Sequence, residues 1–226
     1  MAFFYEGNKV KIVTVLRSGG EYTAEHVRWF DKQLHSRYEH ICLTDMKVEG
    51  LRNLALKTDW PGWFAKLELF DPDLLKDDIF YIDLDTVVVG NFDHMLKDHS
   101  LAALRDFYFP EYAASGIMRI PHAAKPAIWQ ALRLMSKDEL INYKGDGELL
   151  RNIVGFDFLQ EQYPDEIISY KAHIAGSRMA GYSPRFSHGN GALPAAAKIV
   201  CFHGRPRPWS LSLPWIAPLA SPIPRL

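Results

Sequence analysis

The stretch Ile79-Phe80-Tyr81-Ile82-Asp83-Leu84-Asp85-Thr86-Val87-Val88-Val89 decides how this chain is read. Four apolar or aromatic residues run into an Asp-Leu-Asp pair, and β-branched residues follow. That pattern describes a buried strand ending in two carboxylates. Side chains alternate along a strand, so Asp83 and Asp85 are expected on one face with Ile79 and Tyr81. Two carboxylates side by side repel unless a cation lies between them, and an oxygen-ligated divalent metal is the economical partner. The tripeptide alone carries little weight, because sixteen aspartates make about one Asp-x-Asp expected by chance. Asp71-Pro72-Asp73 is such a chance case, a turn leading into Leu74-Leu75. Asp83 and Asp85 differ because the apolar run before them is destined for the interior, where unpaired carboxylates are costly.

Upstream, Lys11-Ile12-Val13-Thr14-Val15-Leu16 reads as a first strand, stopped by Ser18-Gly19-Gly20. Thr23 suits the N-cap of a helix that carries Val27, Phe30 and Leu34 on one face. Ile41-Cys42-Leu43-Thr44 is a second strand ending at Asp45, followed by a loop. Pro61-Gly62 opens a short helix with Phe64, Leu67 and Phe70 inward, and the Ile79 strand comes third. The resulting βαβαβ unit implies a parallel sheet with right-handed crossovers. Its ligand edge is at the carboxyl ends of the strands, which gathers residues 17–20, Asp45 and the Asp83/Asp85 pair.

Downstream the pattern is less regular. Leu101-Ala102-Ala103-Leu104 reads as a strand ending at Arg105-Asp106, and Gly116-Ile117-Met118-Arg119-Ile120 as another. Helices are expected over residues 123–135 and 148–153. Late strands are expected at Ile167-Ile168-Ser169-Tyr170 and over residues 198–203, with a glycine-rich loop over 178–194. Six prolines between Arg205 and Leu226 make residues 211–226 an extended tail, expected to pack on the surface of a single domain spanning residues 1–210.

At 226 residues, with 48% hydrophobic and 13% aromatic content, the chain has ample material for one α/β core and is not a disordered protein. A formal net charge of −1 gives no electrostatic case for general nucleic-acid binding. Cys42 and Cys201 both fall in apolar runs and are read as buried free thiols. No run approaches eighteen apolar residues and no targeting segment is visible, so a soluble, cytoplasmic protein is expected.

A second unusual stretch is Cys201-Phe202-His203-Gly204-Arg205-Pro206-Arg207-Pro208-Trp209. Gly204 admits a close backbone approach, and the prolines flanking Arg207 stiffen the loop that aims its guanidinium. Arginine suits bidentate phosphate binding, at about 1.5–3 kcal/mol per charge-assisted bond. A histidine for metal beside an arginine for phosphate suits a metal–diphosphate site.

The Tyr81–Asp85 strand and the late His203-Gly204-x-x-Arg207-Pro208-Trp209 segment together resemble the retaining glycosyltransferases of the GT-A fold. That family includes glycogenin and the bacterial lipooligosaccharide galactosyltransferases. The chain is also similar to compact bacterial and phage glycosyltransferase-like proteins, through Trp60-Pro61-Gly62-Trp63-Phe64-Ala65-Lys66, residues 80–90, Ser169-Tyr170-Lys171 and residues 202–209. The resemblance covers roughly residues 10–210. It implies a Rossmann-like βαβαβ half, a mixed central sheet flanked by helices, and a nucleotide-diphosphate sugar donor, first a UDP-sugar, held by Mn2+ or Mg2+.

Carried over by position, Asp83 and Asp85 match the metal and diphosphate motif, and His203 the late histidine ligand. Arg207 and Gly204 stand at the diphosphate, and Lys66 faces donor sugar and phosphate. Tyr22 matches the aromatic that stacks on the base. Thr14 and Glu148 are carried over as donor contacts, and Asp146 as the carboxylate that stabilises the reacting sugar. Three departures accompany the match. Cys201 holds the position of the usual histidine, with His203 on the same expected strand face. Gly147 replaces a glutamine, and Gly19 and Glu21 replace polar base-contacting residues.

The reading is therefore a metal-dependent glycosyltransferase, with retention implied only by the resemblance. Its alternatives are a catalytically silent sugar-nucleotide-binding protein and, with less support, a nucleotidyltransferase, for which residues 17–20 lack the longer Lys-bearing glycine loop. The acceptor is open among glycan, lipid-linked glycan, protein and modified DNA base.

Overall fold

Ile12, Val13, Ile41, Cys42, Leu43, Ile79, Phe80 and Ile82 are all buried to within 1% of complete. Strands built from such runs must be covered on both faces, and they are. The computed structural model describes residues 10–176 and 191–219. In it, β1 (Lys11–Leu16), β2 (His40–Thr44), β3 (Arg52–Ala55) and β4 (Ile79–Ile82) form a parallel group. Then come β5 (Thr86–Val88), β6 (Ala102–Arg105), β7 (Ala113–Ile120), β8 (Asp157–Phe158), β9 (Ile167–Ser169) and β10 (Ile199–Cys201). The main sheet runs β3-β2-β1-β4-β7-β6-β8, and β7 is antiparallel to both β4 and β6. A small sheet, β5-β10-β9, stands beside it. The expected mixed α/β sheet is present.

Alternation along the strands makes two cores. Ile12, Cys42, Phe80 and Ile82 face helix α1 (Ala24–Gln33) through Val27 and Phe30, with Leu34 just past its end, and share that layer with Ile199 and Val200 of the small sheet. Val13, Ile41, Leu43, Ile79 and Tyr81 face the other way. They meet Phe64, Leu67 and Phe70 of the 3-10 helix Gly62–Phe70, Ile128 and Leu132 of α2 (Lys125–Leu132), Leu140 of α3 (Lys137–Leu140), and Leu149 and Leu150 of α4 (Asp146–Ile153). Thr23 caps α1 as expected, accepting a hydrogen bond from the Glu25 amide (3.3 Å).

Several boundaries differ from expectation. The apolar run is not one strand: β4 ends at Ile82 and β5 begins at Thr86 in the other sheet, so Asp83-Leu84-Asp85 is the turn that passes between sheets. The turn is held by the Asp83 amide on Gly116 O (2.8 Å) and the Thr86 amide on Asp83 O (3.1 Å). The segment after Asp45, expected as a loop, contains β3. It is an edge strand whose exposed Arg52 and Ala55 leave too weak a pattern to read. β9 stops at Ser169, and Tyr170–Ile174 wind into a π-helical turn. β10 stops at Cys201, so His203 lies on the following loop and not on a strand face shared with Cys201.

The expected loop over 178–194 falls mostly outside the described residues. The described part of the tail packs on the domain: Ile216 is buried, and Trp29 Nε1 donates to Ala217 O (2.7 Å). Cys42 and Cys201 are buried free thiols.

Candidate active site

A cleft of about 720 Å3 opens at the carboxyl ends of β1 and β4. Val15, Arg17, Gly20, Glu21 and Tyr22 line it from the end of β1 and the loop beyond, Asp83 and Asp85 from the turn after β4, and Asp146 from the start of α4. Phe202, His203, Gly204 and Arg207 close the opposite side. Asp45 braces the first loop, accepting from the Ser18 amide (2.8 Å) and hydroxyl (2.6 Å).

Lys66 is the electrostatic centre. The 3-10 helix that carries it is pinned by Glu68, which is fully buried and accepts the amides of Lys57 and Thr58 at 2.7 Å each. Lys66 Nζ lies 3.2 Å from Asp83 Oδ1 and 3.2 Å from Asp146 Oδ2. Burial alone would pull its pKa down, but the charges of Asp146 and Asp83 outweigh it and hold the ammonium above its ordinary value. Asp146 Oδ2 is buried and has no hydrogen bond aligned on it, so that oxygen contacts Lys66 as an ion pair with lone pairs to spare. The Tyr81 hydroxyl donates to Asp83 Oδ1. Gly116 makes room for the same carboxylate, since a Cβ there would stand 3.3 Å from Asp83 Oδ2.

Arg207 is the second cation. Its Nη1 donates to Asp85 Oδ2, its Nε is 2.5 Å from Glu21 Oε1, and its guanidinium lies 5.2 Å from the centre of the Tyr22 ring. Even so, burial and the neighbouring Asp83 charge push Asp85 up to about 7. Asp83 and Asp85 thus form a pair of hard oxygen donors at one cleft wall, which fits a divalent cation whose remaining ligands are phosphate oxygens and water.

Three residues expected in the site stand elsewhere or are otherwise engaged. Thr14 is fully buried outside the cleft, its Oγ1 2.9 Å from His40 Nε2. Glu148 does not line the cleft and accepts the Lys144 amide (2.7 Å) at the start of α4. His203 does reach the cleft wall, but its Nε2 is 2.6 Å from Ser169 Oγ. The two share a hydrogen bond whose direction follows the histidine tautomer, and Ser169 Oγ also accepts the Ala172 amide (3.2 Å). Phe107 stacks on the His203 ring, and burial with the nearby Lys171 charge lowers the histidine to about 4. Among the described residues no three His, Cys, Asp or Glu side chains converge as a ligand set, so His203 is not gathered with Asp83 and Asp85 here.

A Cβ at Gly147 would lie 3.4 Å from Ser115 Oγ, an ordinary contact, so packing does not demand glycine there. Reading by sequence named Tyr81 beside Asp83, and Glu21 as a departure at a base-contacting position, without giving either a role, and gave Ser115 and Gly116 no place in the site. Only Tyr81 carried a local signal, its alternation with Asp83.

No protein-family model and no curated protein sequence matches the chain. Solved structures do. The glycosyltransferase GlyE of Streptococcus pneumoniae TIGR4 superposes with a TM-score of 0.62 at 16% identity, over 91% of this chain and 58% of that one. Galactosyltransferase LgtC, solved with donor and acceptor sugar analogues, gives 0.57 at 14% identity, over 88% and 89%. The bifunctional glycosyltransferase WbbM gives 0.51 at 16%, over 92% and 48%. The chain thus spans little more than half the length of GlyE. At these identities the likeness is one of fold: this chain has the GT-A fold of those glycosyltransferases.

Proposed function

We propose that this protein is a glycosyltransferase that binds a nucleotide-diphosphate sugar, first a UDP-sugar, with Mn2+ or Mg2+, and passes the sugar to an acceptor with retention of configuration. The observation that carries the reading is the convergence of Asp83, Asp85, Lys66, Asp146 and Arg207 in one cleft at the carboxyl ends of parallel strands. The fold held in common with GlyE, LgtC and WbbM supports it. A cytoplasmic location belongs to the same reading and agrees with two buried, unpaired thiols. No helix among the described residues is long and apolar enough to cross a membrane.

Cleavage of a glycosyl–diphosphate bond builds negative charge on phosphate and positive charge at the sugar ring. Asp83 and Asp85 would hold the cation, which supplies Lewis-acid stabilisation of the diphosphate when bound. Lys66, held charged by its two carboxylates, and Arg207, stiffened by Pro206 and Pro208, supply fixed positive charge to the leaving group. Asp146 lines the same cleft with its buried Oδ2 against Lys66, and its carboxylate would stabilise the electron-poor sugar carbon. Tyr81 fixes the orientation of Asp83.

A panel of nucleotide sugars, scored by thermal shift with and without Mn2+, tests base, sugar and metal together. Stabilisation by one nucleotide sugar that needs Mn2+ supports the reading, and no stabilisation by any of them counts against it. A catalytically silent sugar-nucleotide-binding protein is the second reading, favoured by Gly147 standing where a side chain is expected. Metal-dependent binding without turnover across glycan, lipid-linked glycan, protein and modified-DNA acceptors would select it.

A further inference from the structure

Arg207 faces two carboxylates from different parts of the chain. Asp85 takes its Nη1, and Glu21, on the loop after β1, lies 2.5 Å from its Nε. The Nε–H is not aligned on Glu21, so this second contact is an ion pair rather than a hydrogen bond. The Tyr22 ring supports the guanidinium, whose side chain is only 16% exposed, whereas Glu21 is 43% exposed. Lys66 is committed to Asp83 and Asp146, which leaves Arg207 as the cation on Asp85. A divalent ion arriving at the same carboxylate would meet a like charge at contact distance, and Arg207 must yield Asp85 for it to bind. A diphosphate offers the released guanidinium bidentate oxygen acceptors.

We propose that Arg207 occupies Asp85 in the nucleotide-free protein, that Glu21 is the residue positioning it there, and that divalent cation and diphosphate consequently bind as a coupled pair. This rests on the cation-binding reading of Asp83 and Asp85 above. Because coupling is reciprocal, a diphosphate that captures Arg207 must raise cation affinity, and the cation must raise diphosphate affinity by the same factor. Glu21 acts through Arg207 and need not touch either ligand.

The test is Mn2+ binding to the full chain, followed by electron paramagnetic resonance of the free ion, with and without inorganic pyrophosphate and corrected for binding of the ion to pyrophosphate in buffer. Without pyrophosphate, Glu21→Gln and Arg207→Gln should each bind Mn2+ tighter than wild type, by roughly tenfold for Arg207→Gln. The double variant should bind no tighter than Arg207→Gln alone. Pyrophosphate should tighten Mn2+ binding to wild type more than to Arg207→Gln. Unchanged melting temperatures for Glu21→Gln separate positioning from a structural role. Mn2+ affinity that depends on Asp85 but is equal or weaker in Glu21→Gln and Arg207→Gln overturns this inference alone. Tightening in Arg207→Gln without Glu21→Gln overturns the role of Glu21. No Mn2+ binding to wild type under either condition overturns both this inference and the cation reading beneath it.

Discussion

Lys66 Nζ lies 3.2 Å from Asp146 Oδ2, joining the start of α4 to a helix that precedes it by eighty residues in the chain. The same ammonium reaches Asp83 at 3.2 Å, so one buried cation serves two carboxylates from separate elements. Replacing it by Lys66→Met leaves both anions without that partner. Breaking a buried pair by removing one member costs about 3–5 kcal/mol. Urea unfolding should show a loss of that order, and nucleotide-sugar turnover should fall with it. A variant as stable as wild type would mean that the two carboxylates are compensated elsewhere.

Gly116 offers a finer probe, because a Cβ at that position would press on Asp83 Oδ2 at 3.3 Å. Gly116→Ala should weaken Mn2+-dependent nucleotide binding by shifting that carboxylate, with an overpacking cost of about 1–3 kcal/mol. Isothermal titration with UDP and Mn2+ measures it. Binding equal to wild type would show that Asp83 has room to move without loss.

Thr14 separates the structural reading from the expected one. Its hydroxyl meets His40 Nε2 in the core, and His40 Nδ1 in turn lies 2.9 Å from Asp31 Oδ1. Thr14→Val should therefore cost stability, about 1–3 kcal/mol for the polar atom left unpaired, and leave donor affinity unchanged. Thermal melting and nucleotide titration on the same preparation decide the matter, and a selective loss of donor affinity would restore Thr14 to the site.

Lys125 supplies a pH test of the fold. Its Nζ is buried and donates to Leu75 O (2.6 Å) and Asp77 O (2.8 Å), and burial lowers its pKa from 10.5 to about 8. Between those values the unfolded chain binds more protons than the folded one, so this group's contribution to stability rises with pH and is lost as pH falls toward 8. Relative to Lys125→Gln, wild type should gain about 2 kcal/mol between pH 8 and 10. A flat difference across that interval would place the ammonium in a better-solvated setting.

Much of the fold was legible because its decisive strands are buried on both faces and advertise it as unbroken apolar runs. The Thr23 cap and the Val27, Phe30, Leu34 stripe were equally plain. β3 was not, because an edge strand with exposed Arg52 carries almost no pattern. In the site, Asp83, Asp85, Lys66, Asp146, Tyr22 and Arg207 were all named from sequence, and all line one cleft. Their mutual pairing was not legible, since Arg207 meets Asp85 across 122 positions and no local signal records such a contact. His203 was expected on one strand face with Cys201, but the strand ends at Cys201, two residues before it. The roles of Glu21 and Gly116 were not legible for a common reason: each acts through a partner distant in sequence.

The most direct test of the proposed chemistry is the initial rate of sugar release or transfer from nucleotide sugars in Mn2+, for wild type against Asp85→Asn, with EDTA as control. Wild type should turn over only with metal, and Asp85→Asn should lose roughly a hundredfold or more. Equal rates in the two proteins, or a wild-type rate indifferent to EDTA, would contradict a metal-assisted glycosyl transfer in this cleft.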